Sequence, residues 1–146
     1  KAQQKAVNKY MKNNYDNLID MAVAAMNKSY APYSNFNVGA ALLCSDGKVY
    51  TGCNVENASY SATCCAERTA FLKAVSEGCR DFKAIAIIGG SNKTPSSIIS
   101  PCGICRQVMT EFCSKDFVII LSDGKNSKIY KLGELMPLSF DSDSLN

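Results

Sequence analysis

The run Cys65-Ala66-Glu67-Arg68-Thr69-Ala70-Phe71, answered further along by Pro101-Cys102-Gly103-Ile104-Cys105, decides how the rest of the chain is read. Each segment opens a helix-like stretch. The second is a C-x-x-C pair, a spacing that suits two ligands of one tetrahedral zinc ion. The first adds a third cysteine with a carboxylate two residues on. Three protein ligands would leave one zinc position open, for a bound water and so for chemistry, and Glu67 is the candidate for moving that water's protons. Helix N-termini expose unpaired N–H groups and a positive dipole end, and both favour thiolate over thiol. Inside an ideal helix, residues two apart diverge by about 200°. Cys65 and Glu67 therefore share a pocket only if the helix meets it end-on. Three thiolates would leave the cluster with a net negative charge. Arg68, beside Glu67, and Arg106, beside Cys105, are both placed to compensate, with Arg68 the favoured donor to the ligand sulfurs.

Working outward, helices alternate with strands. Tyr15, Leu18, Ile19, Ala22, Ala25 and Met26 follow a helical rhythm, with Asn13 or Asn14 as a cap and Pro32 enforcing a stop. Residues 1–13 are polar and are expected to form a loose arm or a helix start. Phe36–Leu43 reads as a strand, Ser45-Asp46-Gly47 as a turn and Lys48–Cys53 as the returning strand. Asn54–Thr63 is expected as a loop, and Cys65–Glu77 as a helix stopped by Gly78. Lys83–Ile88 is apolar and β-branched enough for a central strand. Ser91–Ser100 is a loop, Gly103–Phe112 a helix, Phe117–Leu121 and Lys128–Tyr130 strands around a turn at Ser122-Asp123-Gly124, and Leu132–Met136 a helical turn. The order α-β-β-α-β-α-β-β predicts an α/β fold: a mixed sheet with helices packed on it, in a single domain spanning 1–146.

Composition narrows the class. At 47% hydrophobic and 20% charged, the chain can bury a core and does not have the balance of a disordered one. A net charge of +3 with no Lys/Arg cluster argues against a nucleic-acid partner. The absence of a long apolar run argues against a membrane span. The eight cysteines are Cys44, Cys53, Cys64, Cys65, Cys79, Cys102, Cys105 and Cys113. Lys1–Lys5 has no apolar signal core, so a cytoplasmic location is expected and metal use of the cysteines is favoured over a disulfide scaffold. Three N-x-S/T patterns, at Asn27, Asn57 and Asn92, need a secretory route to matter. Spacing alone leaves two plainer readings open: a closed structural zinc with Cys53, Cys64 or Cys113 as fourth ligand, or cysteines of an ordinary core.

Cys-Ala-Glu followed by Pro-Cys-x-x-Cys matches the zinc deaminase pattern in its all-cysteine form, and the chain has no histidine for the other form. From about Tyr30 to Phe140 the chain resembles the small, homotetrameric cytidine deaminases of the cytidine/deoxycytidylate deaminase superfamily. The resemblance runs through Tyr33-Ser34-Asn35-Phe36-Asn37-Val38-Gly39-Ala40-Ala41, Gly52-Cys53-Asn54-Val55-Glu56-Asn57-Ala58-Ser59-Tyr60, Cys65–Ala70 and Leu135-Met136-Pro137-Leu138-Ser139-Phe140. It implies a three-layer α-β-α fold around about five strands. It also implies hydrolytic deamination of cytidine and 2′-deoxycytidine to uridine and 2′-deoxyuridine with release of ammonia, for pyrimidine salvage. In that reaction a zinc-held hydroxide attacks C4 while Glu67 shuttles protons.

The implied ligands of one Zn2+ per chain are Cys65, Cys102 and Cys105. Asn54 and Glu56 would hold the ribose hydroxyls, Phe36 would pack beside the nucleoside, and the Ala66 N–H would bind the base carbonyl. The Pro101 carbonyl would take the amine, and Arg68 would tune the sulfurs. Phe140, in a tail of residues 137–146, would come from a neighbouring subunit, as would Ala58 and Tyr60. Ser61-Ala62-Thr63-Cys64 departs from the family's more apolar stretch and sets a competing thiol, Cys64, beside Cys65; the spacing to Glu67 favours Cys65 as ligand and Cys64 as a buried neighbour. Three other readings stay in view: deamination of a different cytosine nucleoside such as blasticidin S, which the Asn54/Glu56 pair disfavours; a nucleic-acid editing deaminase, which the modest charge and lack of a basic, aromatic-rich surface argue against; and a non-enzymatic zinc module, which would leave Glu67 without a role.

Overall fold

A computed structural model describes residues 15–146. The expected arm at 1–13 and the Asn13 or Asn14 cap lie outside the described residues. Residues 15–26 are helical (α1), and the chain then runs through β1 (Phe36–Cys44), β2 (Val49–Cys53), α2 (Ala66–Ser76), β3 (Phe82–Ser91), α3 (Gly103–Phe112), β4 (Val118–Ser122), β5 (Ser127–Lys131) and α4 (Leu132–Leu135). Two 3-10 turns, Tyr60–Ala62 and Ser142–Leu145, complete the described elements.

The five strands form one sheet in the order β2-β1-β3-β4-β5. Only β3 and β4 run parallel, with α3 as their crossover; the other neighbours are antiparallel, so the sheet is mixed as expected. Alternation along the strands sends side chains to opposite faces. Ala40, Leu42, Ile85, Ile87, Ile119 and Leu121 pack with Ala66, Ala70, Phe71 and Ala74 of α2 and Met109 of α3. Ala41, Ala84, Ala86, Ile88 and Ile120 face Leu18, Ala22 and Met26 of α1 on the other side. Helices therefore cover both faces, giving three layers. Phe71 sits edge-on to Phe82, with ring centroids 5.1 Å apart, and stacks with Phe112, closing the core under α2 and α3.

Two departures from the expected boundaries matter for function. The strand expected to end at Ile88 continues through Gly89 and Gly90 to Ser91, because β1 pairs with it along that length (Phe36 with Ser91, Asn37 with Gly90). Ladder pairing overrides the usual weakness of glycine within a strand. A Cβ on Gly90 would lie 1.9 Å from the Thr94 carbonyl oxygen, so its bare Cα lets the loop of residues 92–100 fold back over the sheet. The helix expected over Cys65–Glu77 starts one residue later, with Cys65 in extended backbone as its N-cap. A Cβ on Gly52 of β2 would meet the Ala66 carbonyl oxygen at 2.4 Å and the Ala70 nitrogen at 2.5 Å, and this close approach seats the first turn of α2 on the sheet.

Candidate metal centre and cleft

Cys65 and Cys102 occupy equivalent places, each the extended N-cap of a helix whose side chain makes no cap hydrogen bond. Freed from capping, the two sulfurs turn toward each other and stand 3.9 Å apart. Cys105, in the first turn of α3, joins them, and all three sulfurs lie within 4.8 Å of one another. Tetrahedral zinc with Zn–S bonds of about 2.3 Å places its sulfurs about 3.8 Å apart, so the donor set and its spacing fit that ion.

The electrostatics favour a cation there. Hydrogen bonds from Cys105 and Arg68 bring the Cys65 thiol down to about 5. Cys105 moves up, because Cys65 becomes the anion it bonds to and because it is buried. A divalent metal would replace that shared proton and let all three deprotonate. Arg68 Nη2 lies 3.4 Å from the Cys65 sulfur and 3.4 Å from the Thr63 carbonyl oxygen. Its buried Nε has no hydrogen-bond partner among the described residues, so the guanidinium is held against the cluster through Nη2, by hydrogen bond and by charge. Cys64 stands apart from the group. Its thiol donates to the Cys65 carbonyl oxygen and receives the Thr69 hydroxyl, and it is half-buried.

Arg106 departs from expectation. Its place after Cys105 predicts compensation of the sulfurs, but successive helical residues point about 100° apart. Its guanidinium turns away, donating to the Pro101 carbonyl oxygen at 2.9 Å, the Leu135 carbonyl oxygen at 2.6 Å and the Ser100 hydroxyl at 2.7 Å. It clips the loop before Cys102 to the end of α4.

Glu67 follows Ala66 in the first turn of α2 and is only 5% exposed. Burial pushes its carboxyl up to about 7, and the Cys65 thiolate adds to the rise. A carboxyl poised near neutrality beside a metal-binding cluster can take and return protons. Cys65, Glu67 and Cys102 line a cavity of about 350 Å³ with Ser34, Phe36, Val38, Asn54, Glu56, Thr63, Ala66, Ile99 and Ser100. Ligand pockets are commonly about 300–1,000 Å³, so a small molecule fits. Ala66, the first residue of α2, has an N–H with no intrahelical acceptor.

The opposite wall is irregular. Val55 exchanges backbone hydrogen bonds with Cys64, while Tyr30 N–H donates to the Asn54 carbonyl and Glu56 N–H to the Tyr30 carbonyl. Asn54 is buried, and its side chain is engaged by β1: Oδ1 accepts from Val38 N–H at 2.8 Å and Nδ2 donates to the Phe36 carbonyl oxygen at 2.8 Å. The side chain thus continues the β1–β2 ladder past Cys53, with one amide hydrogen and one lone pair left over. The Glu56 carboxylate accepts Tyr33 N–H, Ser34 N–H and the Ser34 hydroxyl.

A second cavity of about 380 Å³ adjoins the first at Ser34, Glu56 and Thr63 and is walled by Tyr33 and Tyr60. Those two rings meet edge to face, with centroids 6.0 Å apart. Within one chain, then, Tyr60 flanks its own cleft, whereas Ala58 and Phe140 line neither cavity. Ser34, Val38, Thr63, Ile99 and Ser100 line the cleft without having been singled out for it from sequence. Only Ser34 and Val38, inside the Tyr33–Ala41 motif, carried a signal there.

Paired helix N-termini holding a zinc-competent thiol cluster, with one buried carboxyl beside it on a three-layer mixed sheet, define a metal-dependent hydrolytic enzyme. The chain belongs to the cytidine and deoxycytidylate deaminase family: the family's zinc-binding region matches residues 12–121. It is 45% identical over 132 residues to a cytidine deaminase of Sporosarcina psychrophila, covering 90% of this chain and 94% of that one. It is 47% identical to the cytidine deaminase of Halalkalibacterium halodurans, covering 88% and 96%. The crystal structure of the Burkholderia pseudomallei cytidine deaminase superimposes with a TM-score of 0.80 at 46% identity, covering 86% of this chain and 98% of that one.

Proposed function

We infer that this chain catalyses the zinc-dependent hydrolytic deamination of cytidine and 2′-deoxycytidine to uridine and 2′-deoxyuridine, releasing ammonia, the chemistry of pyrimidine salvage. The observation that carries this reading is the buried Glu67 carboxyl in a cleft with Cys65 and Cys102, opposite a wall of Phe36, Asn54 and Glu56.

Zinc, when held by Cys65, Cys102 and Cys105, lowers the pKa of a bound water toward neutrality. Glu67 takes a proton from the attacking water and passes it to ring N3; it then takes the proton of the new C4 hydroxyl and delivers it to the amine, so that the C4 carbonyl forms as ammonia leaves. Its burial favours the protonated form that it needs when it acts as donor. The Ala66 N–H holds the base carbonyl. The Pro101 carbonyl takes the amine on the lone pair that Arg106 leaves free. Phe36 packs beside the nucleoside. Glu56 accepts from the sugar hydroxyls, and Asn54 contributes what capacity β1 leaves it. Arg68 draws charge from Cys65 and so makes a three-thiolate site a better acid toward water.

The working form is a homotetramer with one zinc per chain. In it Ala58, Tyr60 and Phe140, with the tail of residues 137–146, complete a neighbouring subunit's cleft. Supporting this are apolar side chains left in solvent: Tyr60 at 76%, Phe140 at 60% and Leu138 fully exposed. The substrate is a free nucleoside, with neither nucleic acid nor membrane as partner. The modest charge suits that reading, and no helix among the described residues is long and apolar enough to cross a membrane. Eight cysteines, none of them in a disulfide, suit the reducing cytoplasm.

The test is to incubate zinc-loaded protein with cytidine and with deoxycytidine, follow the absorbance change and identify the products by chromatography. Uridine and deoxyuridine with stoichiometric ammonia are expected. A fully zinc-loaded chain that converts neither would overturn the reading and direct it to another cytosine nucleoside.

A further inference from the structure

Glu56 does not choose its own direction. It sits on a segment without regular structure, and its carboxylate is gripped by a turn 22 residues earlier in the chain. The Ser34 hydroxyl donates to Oε2 at 2.5 Å, while Tyr33 and Ser34 N–H groups donate to Oε1 at 3.0 and 3.1 Å. The same hydroxyl accepts Phe36 N–H at 3.0 Å, so it joins the carboxylate to the first residue of β1. The turn is anchored behind by Asn35, which is in the left-handed region (φ 53°). Its N–H reaches the Ala31 carbonyl at 3.0 Å, and its amide donates to Asn92 Oδ1 at 2.6 Å.

A carboxylate offers about four acceptor positions, and the turn fills three. Two of the donors load Oε1, leaving Oε2 with a single bond, from Ser34. Ser34 and Glu56 both line the cleft and its neighbouring cavity. The bond from Ser34 takes one acceptor position of Oε2 and leaves the other without a protein donor.

We propose that Ser34 is a positioning residue, whose hydroxyl fixes Glu56 Oε2 so that its remaining lone pair faces the cleft and accepts a sugar hydroxyl of the bound nucleoside. This rests on the reading of Glu56 as the sugar-binding carboxylate. The Ser34 hydroxyl is also the leading cause of the lowered Glu56 pKa, which keeps the acceptor ionised. Ser34 touches no reacting atom, so its effect belongs to binding.

The experiment compares wild type, Ser34→Ala, Ser34→Thr and Glu56→Gln, all zinc-loaded. It reads kcat and KM for cytidine and the competitive Ki of 2′,3′-dideoxycytidine, which lacks both sugar hydroxyls of that edge. Loss of a charge-assisted orienting bond should raise the cytidine KM of Ser34→Ala about tenfold, with a smaller change in kcat and a dideoxycytidine Ki within about twofold of wild type. Ser34→Thr, which keeps the hydroxyl, should restore the KM. Ser34→Cys, a weaker donor, should fall between, and it serves if the alanine variant does not fold. An unchanged KM in Ser34→Ala, or KM and Ki rising together, would overturn the proposal. Glu56→Gln separates the two layers: if it too spares the cytidine KM, the sugar-binding reading of Glu56 fails, whereas a raised KM there with none in Ser34→Ala defeats only the role of Ser34.

Discussion

At one end of the cleft the reactive groups ride on helices: Cys65 and Cys102 occupy the N-cap positions of α2 and α3, and Glu67 and Cys105 lie in their first turns. At the other end Glu56 rides on a segment held by single bridges to Tyr30 and Cys64, and its carboxylate is aimed by donors from residues 33 and 34. Helix registry sets the first group with little outside help. The second exists only because distant loops hydrogen-bond to one another. Rigid elements carry the atoms whose placement governs bond making, and cross-tied loops carry recognition. Damage at the metal end should therefore fall on kcat and metal content, and damage at the loop end on KM.

The largest break in that contrast comes from removing a sulfur. Cys105→Ala should lower zinc content well below one per chain and abolish turnover, whereas Cys64→Ala, outside the thiol cluster, should keep one zinc and most activity. Metal analysis with cytidine turnover checks both. Next is Glu67→Gln, expected to retain zinc while kcat falls by at least about 10²–10⁴-fold, because one group serves every proton transfer. A kcat within tenfold of wild type would move proton transfer elsewhere.

A smaller effect should come through the fold. Gly52→Ala places a Cβ 2.4 Å from the Ala66 carbonyl oxygen, so α2 must shift from the sheet. We expect about 1–3 kcal/mol of destabilisation in a denaturant titration, and a lower kcat because Cys65 and Glu67 move with the helix. The smallest is at the loop end. The folded-state pKa of Glu56 lies below its unfolded value, held there by Ser34 and Tyr33. Its contribution is therefore present above the unfolded carboxylate range near pH 4.3 and disappears as pH falls through the lower folded value. Wild type should exceed Glu56→Gln in stability at neutral pH, with the gap closing under acid. A gap constant from pH 7 to pH 3 would contradict this.

Legibility in the sequence follows the same division. The alternation of helix and strand and the bounds of α3 are legible from local periodicity, whereas the convergence of Cys65, Glu67, Cys102 and Cys105 is legible only through the resemblance, since spacing alone leaves other readings open. The extension of β3 through Gly89 and Gly90 is not legible, since pairing with β1 supplies what two glycines lack. The direction of Arg106 is not legible, because neighbourhood in sequence says nothing about which way a long side chain turns on a helix. The bonds that β1 makes to the Asn54 amide, which leave it one hydrogen and one lone pair for a sugar, are likewise invisible in the sequence. Thr63, Ile99 and Ser100 reach the cleft through loop packing that no spacing rule encodes.

The most direct test of the central claim is cytidine-to-uridine conversion by one preparation as isolated, stripped of zinc and reloaded, with Glu67→Gln carried in parallel. The account predicts activity that disappears with the metal and returns at one zinc per chain, and a variant that binds the same zinc and does not turn over. Activity that survives metal removal, or an active Glu67→Gln protein, would contradict it.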